Sequence, residues 1–352
     1  MGRAQDNFDS DWEVTDVLIC GCGPTGAMLS SQLGQAGVPN ICLDRETGIT
    51  TDPRGIALDE DGIRALQSVG IYDKIYSDIG KCMGNFNFVG GVHHDLHRPA
   101  FTKMDYATTE GGTGHVGFIC HKQPALEKHL RNSLLATKSS QLRVQCTLVS
   151  ITEDDEWVYA QYEDKNKKRR GIKAKFLVGA DGKTGYVRKH YLEAKGVRME
   201  HASLTTYEED WVALNWKITL PTRESHPDFP LWERGYSSEE VYDLFFPQEF
   251  RFLCNPERPA VCGRFGLTND RLWRFEFVVQ QGEDGLHMAS PEMIKKVVYP
   301  YLVHPGSRYG PGQAHHTEIL KGWYQERKQQ LEASLAATVE NGAFTVHRYT
   351  VR

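Results

Sequence analysis

The sequence predicts an α/β fold in which a βαβ unit near the amino terminus precedes a second domain made mostly of β-strands. Three observations predict this arrangement. A short apolar run, a helical pattern and a second apolar run follow one another within the first 45 residues. A glycine-rich turn separates the first run from the helical pattern. From about residue 200, strand-like runs that carry many aromatic side chains dominate.

The βαβ unit is defined by its apolar runs and by the residues that end them. Asp16–Cys20 is a compact apolar run that stops at a glycine, which predicts a short buried strand. Ala27–Gln35 has the pattern of a helix, and Gly37 provides its end. Ile41–Leu43 is the second apolar run, and Asp44 directly follows it. The acid therefore lies about 20 residues after the glycine turn, as in a dinucleotide-binding unit.

The turn itself carries the G-x-G-x-x-G motif of a Rossmann-like dinucleotide-binding unit, with Gly21, Gly23 and Gly26 at its glycine positions. The first glycine permits the tight turn, the second lets the backbone approach a pyrophosphate, and the third lets the helix pack close to the strand. Unpaired N–H groups and the helix dipole then face the phosphates. Asp44 is expected to accept hydrogen bonds from the adenosine ribose, and the adjacent Arg45 is included among the cofactor-binding residues. The motif alone does not separate NAD from FAD.

Composition limits the class of protein. A chain of 352 residues predicts about two domains, here residues 14–200 with inserted strands at 81–118, and residues 201–352. The net charge of −5 gives no basic excess that would point to nucleic acid or to an anionic membrane. No apolar run approaches ~20 residues, so no membrane span is expected. Eight scattered cysteines without a C-x-x-C pair predict reduced thiols, and so a cytoplasmic protein.

Further helices are predicted from apolar spacing and from end signals. Asp59–Gly70 has acids in its first turn and apolar residues along one face. Pro124–Leu135 has leucines at i, i+4 and i+8. Pro291–Leu302 has proline at its first position. Trp323–Ala336 is a polar amphipathic segment.

The remaining strands are predicted from apolar runs and from alternation of apolar and polar residues. They are Leu142–Ile151, Trp157–Tyr162, Ile172–Val178, Trp211–Leu220, Val241–Phe246, Ala260–Phe265, Leu272–Gln280 and Phe344–Arg352. Residues 81–118 are expected to form short irregular strands. The charged run at residues 163–170 is expected to be the solvated tip of a hairpin.

Two other chemistries are disfavoured. His93, His94 and His97 lie close together in the sequence, but adjacent histidines rarely converge on one ion, so no metal site is predicted. The chain has no G-x-S-x-G motif, which argues against a hydrolase of that type.

A second motif lies near residue 180, where a strand pattern runs into Asp181-Gly182 and Arg188 follows. Together with the glycine motif and Asp44, this Asp-Gly turn and the segments DPRGIALDEDGIRALQSVGI and HKQPALEKHL resemble the FAD-dependent aromatic hydroxylases of the p-hydroxybenzoate hydroxylase fold. The later segments CNPERP and RFEF resemble the 3-(3-hydroxyphenyl)propionate hydroxylase branch and its fungal relatives. The resemblance extends from about residue 14 to about residue 303.

The resemblance implies a role for each matching residue. The glycine motif would hold the FAD pyrophosphate, and Arg54, in the Pro-Arg-Gly segment, would reach the FAD phosphates or ribose. Gln123 occupies the place at which the family contacts the flavin, although one residue is inserted before it in this chain. Asp181, Gly182 and Arg188 match the family's Asp-Gly motif, which serves FAD and also the passing NADPH pyrophosphate.

The resemblance also implies an activity, that of an FAD-dependent monooxygenase. NADPH or NADH reduces the flavin, and molecular oxygen then supplies the oxygen atom that enters a phenolic or other aromatic ring. The protein positions the ring and excludes water, so neither a metal nor a nucleophilic side chain is needed, and no catalytic side chain is predicted. Secondary metabolism or aromatic catabolism is the expected setting.

One departure from the family concerns the carboxyl terminus. The family carries a later Gly-Asp motif, followed by a glycine-rich loop and a long helix, and neither is present here. The expectation is therefore that the C-terminal part is missing. This leaves a catalytically impaired FAD-fold remnant or nucleotide-binding module as one alternative. An NAD(P)-dependent dehydrogenase is another, which the Asp-Gly and Pro-Arg-Gly segments disfavour.

Overall fold

The computed structural model describes residues 12–51, 55–92, 94, 96, 98–109, 111–200, 208–228, 232, 235–303 and 345–350. The chain divides into two compact units. The first unit consists of the described residues of Met1–Thr51, Arg64–Ile75 and Gln123–Glu200, and the second of those of Asp52–Ile63, Tyr76–Lys122 and His201–Arg352. The second unit thus includes segments that precede residue 200. That residues 14–200 and 201–352 fold as separate domains stays a prediction.

The strands alternate with short helices along the described chain. The strands are β1 (Glu13–Cys20), β2 (Asn40–Leu43), β3 (Ala57–Asp59), β4 (Gly80–Lys81), β5 (Asn85–Gly90), β6 (Thr102–Asp105), β7 (Phe118–His121), β8 (Ser140–Arg143), β9 (Thr147–Glu153), β10 (Val158–Glu163), β11 (Arg169–Gly179), β12 (Glu208–Lys217), β13 (Phe250–Cys254), β14 (Ala260–Phe265), β15 (Leu272–Val279) and β16 (Thr345–Thr350). The α-helices are α1 (Pro24–Gln35), α2 (Glu60–Ser68), α3 (Tyr72–Lys74), α4 (Gln123–Leu135), α5 (Ser238–Phe245), α6 (Gly285–Met288) and α7 (Pro291–Val303).

The first unit contains a six-stranded sheet with the order β8-β2-β1-β11-β10-β9. β1 lies at its centre and pairs in parallel with β2 on one side and with β11 on the other. One face buries apolar side chains such as Leu18 and Ile172, neither of which is exposed. Helix α1 packs close to this sheet, since a Cβ on Gly34 would lie 2.2 Å from the Ser140 hydroxyl.

The second unit contains a seven-stranded sheet with the order β16-β12-β15-β14-β13-β5-β6. Alternate residues of β12 are buried in a core that includes residues of α5 and α7. They are Val212, Leu214 and Trp216. A three-stranded sheet, β3-β7-β4, belongs to the same unit. One face of the large sheet is therefore covered by helices, because strand side chains alternate between the two faces.

One predicted strand is wrong and another is divided in two. Val241–Phe246 lies in helix α5, where the Ser237 hydroxyl accepts from the Glu240 N–H at 3.2 Å and the Glu240 carboxylate accepts from the Ser237 N–H at 2.7 Å. This capping box starts a helix and outweighs the apolar run. The predicted strand Leu142–Ile151 is two strands, β8 and β9, separated by residues 144–146.

Two further expectations concern the carboxyl-terminal part of the chain, and one strand was not expected. The terminal strand is confirmed as β16, which pairs antiparallel with β12. The predicted helix Trp323–Ala336 lies outside the described residues. Strand β13 was missed by the sequence patterns. In the part of the chain that the structure describes, no helix is both long and apolar enough to cross a membrane.

Candidate functional site

The glycine turn between β1 and α1 is shaped by close backbone contacts. Gly21 has φ +96°, and a Cβ there would lie 2.4 Å from the Ala180 carbonyl oxygen. A Cβ on Gly26 would lie 1.9 Å from the Gly21 carbonyl oxygen. Neither position tolerates a side chain. Gly23 is different, because no atom lies within 4 Å of the place its Cβ would take.

The open space at Gly23 faces the start of a helix. Gly23 is the N-cap of α1, and Pro24 occupies the first helical position, where its missing N–H costs nothing. The turn thus leaves backbone N–H groups available and keeps side-chain atoms away from them. This is the combination that a pyrophosphate requires.

Three strand ends meet at this turn. Cys20, the last residue of β1, pairs with Leu43 of β2 and with Gly179 of β11, and all three strands are parallel. Asp44 and Asp181, which follow β2 and β11, are therefore brought to the same edge of the sheet as the glycine turn. The carboxyl ends of parallel strands are the usual place for a nucleotide in such a sheet.

The Asp181 loop packs directly on the glycine turn. A Cβ on Gly21 would lie 2.7 Å from the Asp181 Cα, and the Asp181 carboxylate accepts from the Val187 N–H at 3.0 Å. Gly182 has φ +80°, a value that favours glycine. A Cβ on Gly185 would lie 2.1 Å from the Asp181 Cγ. The turn therefore holds Asp181 in one place beside the motif.

Asp44 is held by an arginine that the sequence patterns did not identify. Arg131, on α4, donates to the Asp44 Oδ2 at 2.6 Å and to the Cys22 carbonyl oxygen at 2.9 Å. Both side chains of this ion pair are about nine-tenths buried. The Asp44 Oδ1 accepts from the Glu46 N–H at 3.1 Å. The predicted ribose acceptor is thus fixed from two sides.

Two thiols, those of Cys22 and Cys42, lie beside the glycine turn. Cys22 and Cys42 are fully buried, and the Cys42 thiol donates to the Gly21 carbonyl oxygen at 3.5 Å. A hydrogen bond between the two thiols lowers the pKa of Cys22 and raises that of Cys42. Burial raises the pKa of Cys20 to about 12, so this thiol stays protonated. All eight cysteines of the chain are free.

The other predicted cofactor residues that the structure describes bond to residues close to them in the sequence. Arg45 is exposed and pairs with its neighbour Glu46 at 2.9 Å. Gln123 begins α4 in the same unit and donates to the Glu127 carboxylate at 2.7 Å. Arg188 donates to Glu193 at 2.6 Å and to the Lys183 carbonyl oxygen at 2.8 Å. Arg54 lies outside the described residues. The binding roles of these residues stay predictions.

The second unit contains a buried polar cluster on the sheet face opposite the helices. Arg274, on β15, is 1% exposed and donates to the Asn215 side-chain oxygen at 2.8 Å and to Glu276 at 3.2 Å. Its guanidinium carbon lies 5.7 Å from the centre of the Phe265 ring. Burial raises the pKa of Glu276. The Arg274 guanidinium is thus a charged group buried among apolar side chains.

Aromatic side chains form much of the same face. Phe86 packs edge-on against Phe118 at 4.5 Å between ring centres, and Phe88 stacks on Phe252 at 4.6 Å. Phe250 lies 5.2 Å from Phe86. Phe118 and Phe250 are buried in one cluster with Ile56, Met83 and Cys120, so the three-stranded sheet covers part of this face.

His121 lies at the end of β7 in this unit. Its ring is 3% exposed, and its Nδ1 has no hydrogen-bond partner among the described residues. Burial, assisted by the charge of Arg274, lowers the pKa of His121 to about 4. The imidazole is therefore neutral at pH 7. The described residues contain no group of three His, Cys, Asp or Glu side chains that would hold a metal ion.

Some of these residues had a detectable signal in the sequence. Gln123, Glu127 and Arg131 are spaced i, i+4 and i+8, so they form a polar stripe beside the leucine stripe of α4. The stripe places Glu127 and Arg131 on one helix face, but their burial and the partner of Arg131 appear only in the structure. Arg274 gave no such signal, because its partners are set by the register of β12 and β15.

Comparisons with known proteins agree with this geometry. Residues 14–245 match the family model described as FAD binding domain. A 3-(3-hydroxy-phenyl)propionate/3-hydroxycinnamic acid hydroxylase of Burkholderia cenocepacia is 27% identical over 82% of this chain and 45% of its own length. A probable NADH-specific resorcinol 4-hydroxylase of Rhodococcus jostii is 24% identical over 82% of this chain and 48% of its own length. The chain thus spans about half the length of these curated relatives.

A solved structure shares the fold. The ternary complex of aklavinone-11 hydroxylase with FAD and aklavinone has a TM-score of 0.62 and 19% identity, covering 84% of this chain and 52% of that one. At this identity the likeness shows the fold alone. The predicted α/β fold of the p-hydroxybenzoate hydroxylase type is confirmed. Since the family model covers well over half of its residues, the chain belongs to the FAD-binding domain family.

Proposed function

We propose that this protein is an FAD-dependent, NAD(P)H-using monooxygenase that hydroxylates a phenolic or other aromatic small molecule with molecular oxygen. The observation that carries the proposal is the meeting of the glycine turn, Asp44 and Asp181 at one edge of a parallel sheet in a chain of the FAD-binding family. The relatives named as hydroxylases support the reaction class.

FAD fits the residues present in the first unit. The open space at Gly23 accommodates a pyrophosphate, whereas the contacts at Gly21 and Gly26 keep the backbone of the turn in place. Asp44 would accept from the adenosine ribose, and Asp181 with Gly182 would lie beside the phosphates. When bound, FAD supplies the oxidation chemistry that no side chain can provide.

The substrate ring is proposed to lie against the aromatic face of the seven-stranded sheet. The half-buried rings of Phe86, Phe88 and Phe252 offer flat apolar surface there. Arg274, which is held by Asn215 and Glu276 and is 1% exposed, lies beneath this surface and places a positive charge there without contacting the ring.

The alternatives differ in what they require. A dehydrogenase would need hydride transfer without oxygen, and the family match does not favour it. A remnant or nucleotide-binding module would bind FAD or its ADP part without converting a substrate.

Cytoplasmic location is also a proposal, supported by the eight free cysteines. The reductant is proposed as NADPH or NADH, and a setting in secondary metabolism or aromatic catabolism follows from the reaction class.

The test is oxygen transfer by the FAD-loaded 352-residue chain. NADPH and NADH oxidation is measured with and without a panel of phenols, in an atmosphere of ¹⁸O₂, and products are analysed by mass spectrometry. Phenol-stimulated oxidation with one ¹⁸O atom in the product supports the proposal. A chain that keeps FAD but forms no labelled product supports the binding-module alternative, and one that reduces or oxidises substrate without ¹⁸O supports the dehydrogenase.

A further inference from the structure

Arg131 contacts two separate parts of the nucleotide site. Its Nη2 donates both to the Asp44 Oδ2 at 2.6 Å and to the Cys22 carbonyl oxygen at 2.9 Å. One guanidinium therefore links the acid after β2 to the backbone of the glycine turn. Because the Arg131 side chain is only 9% exposed, solvent does not compete for these bonds.

The contact with Cys22 fixes the direction of a peptide group. No peptide bond among the described residues is cis, so the Gly23 N–H points opposite to the Cys22 carbonyl. The carbonyl points at Arg131, and the Gly23 N–H therefore points away from it. This N–H belongs to the N-cap of α1, beside the open space described above. Arg131 thereby directs a phosphate-binding donor.

The contact with Asp44 fixes the second group. A carboxylate oxygen can accept more than one hydrogen bond, so Oδ1 and Oδ2 keep capacity for a ribose hydroxyl after bonding to Glu46 and Arg131. The Arg131 guanidinium also places its positive charge directly against this buried carboxylate. In addition, the Arg131 Nε–H is buried and has no partner among the described residues.

We propose that Arg131 is a positioning residue for the nucleotide, acting through the Asp44 carboxylate on the adenosine ribose and through the Cys22–Gly23 peptide on the pyrophosphate. This inference rests on the proposed FAD site and concerns its ADP part. It predicts that Arg131 contributes to the discrimination between ribose and deoxyribose. A buried ion pair that only stabilised the fold would not affect this discrimination.

The test compares ADP with 2′-deoxy-ADP on the full chain by isothermal titration calorimetry. The unmodified chain is expected to bind ADP about tenfold more tightly, the effect of one hydrogen bond to a charged group. In Arg131→Lys, which keeps the charge but whose side chain is too short to place a nitrogen where the Arg131 Nη2 makes both bonds, this preference is expected to fall to roughly twofold or less. Arg131→Gln, which keeps an N–H donor without the charge, is measured in parallel in case one variant does not fold.

Thermal unfolding without ligand identifies the folded variants. Arg170→Lys is the control, because its ion pair with Asp164 at 2.8 Å lies at the tip of the β10–β11 hairpin. Both dissociation constants should be unchanged in this control. Equal weakening of ADP and 2′-deoxy-ADP in a folded Arg131 variant, with the tenfold preference kept, would overturn the inference alone. An unmodified chain that binds neither nucleotide would overturn the proposed FAD site as well.

Discussion

Gly26 lies against Gly21 so closely that a Cβ on Gly26 would be 1.9 Å from the Gly21 carbonyl oxygen. The obstacle is backbone, which cannot rotate away as a flexible side chain can. The first turn of α1 is therefore packed on the end of β1 at a distance that only glycine allows. This contact sets where the helix N-terminus points, and so where a phosphate can bind.

Replacing Gly26 with alanine should destabilise the first unit. The added methyl group has to displace backbone, which costs about 3 kcal/mol. Urea unfolding followed by circular dichroism measures the change in unfolding free energy. Gly48→Ala is the matched control, because no atom lies within 4 Å of its Cβ position, and it should change stability by less than about 1 kcal/mol. Equal stability of the two variants would contradict the geometry.

Replacing Gly23 with alanine should separate binding from stability. Its φ of −72° and ψ of −173° suit alanine, and its Cβ position is open, so the unfolding free energy should change by less than about 1 kcal/mol. The methyl group would, however, stand where the pyrophosphate approaches the backbone. Calorimetry should show at least about a tenfold loss of ADP affinity. Unchanged affinity would place the pyrophosphate elsewhere.

His121 should make stability depend on pH. Its pKa is about 4 in the folded chain and about 6.5 when unfolded, so the unfolded state binds more protons between these values. Stability is therefore fully present above pH 6.5 and is lost as the pH falls towards 4, by about 3 kcal/mol. Urea midpoints at pH 7, 5.5 and 4.5 measure the loss. His121→Phe should flatten the profile, and an unchanged pH dependence in this variant would contradict the role of His121.

The Ser237 cap should contribute to helix α5. Ser237→Ala removes the acceptor for the Glu240 N–H and should cost about 1 kcal/mol. Thermal unfolding measures the change. An unchanged unfolding transition in Ser237→Ala would argue against this cap.

The sequence patterns predicted the first unit better than the second. Local signals define the βαβ unit, because Gly21, Gly23, Gly26 and Asp44 all lie within one short stretch of chain. Helix α5 was predicted as a strand because Val241 and Phe246 suit either structure, and the capping box that decides between them involves only Ser237 and Glu240.

Residues that depend on long-range pairing were not predictable. Arg131 meets Asp44 across 87 positions of sequence, and Arg274 meets Asn215 across 59. Such contacts arise from strand order and register, which composition and periodicity do not determine. The motif residues could be found because the turn itself sets their spacing. The positions of Arg131 and Arg274 depend instead on contacts between distant parts of the chain.

The glycine turn of the first unit is the proposed binding site of FAD. The most direct measurement is the visible absorbance of the purified chain after incubation with FAD and gel filtration, with Gly23→Ala treated alongside. The unmodified protein should show flavin bands near one FAD per chain, and the variant should lose most of this absorbance. A colourless unmodified protein, or equal flavin in both, would contradict this proposal.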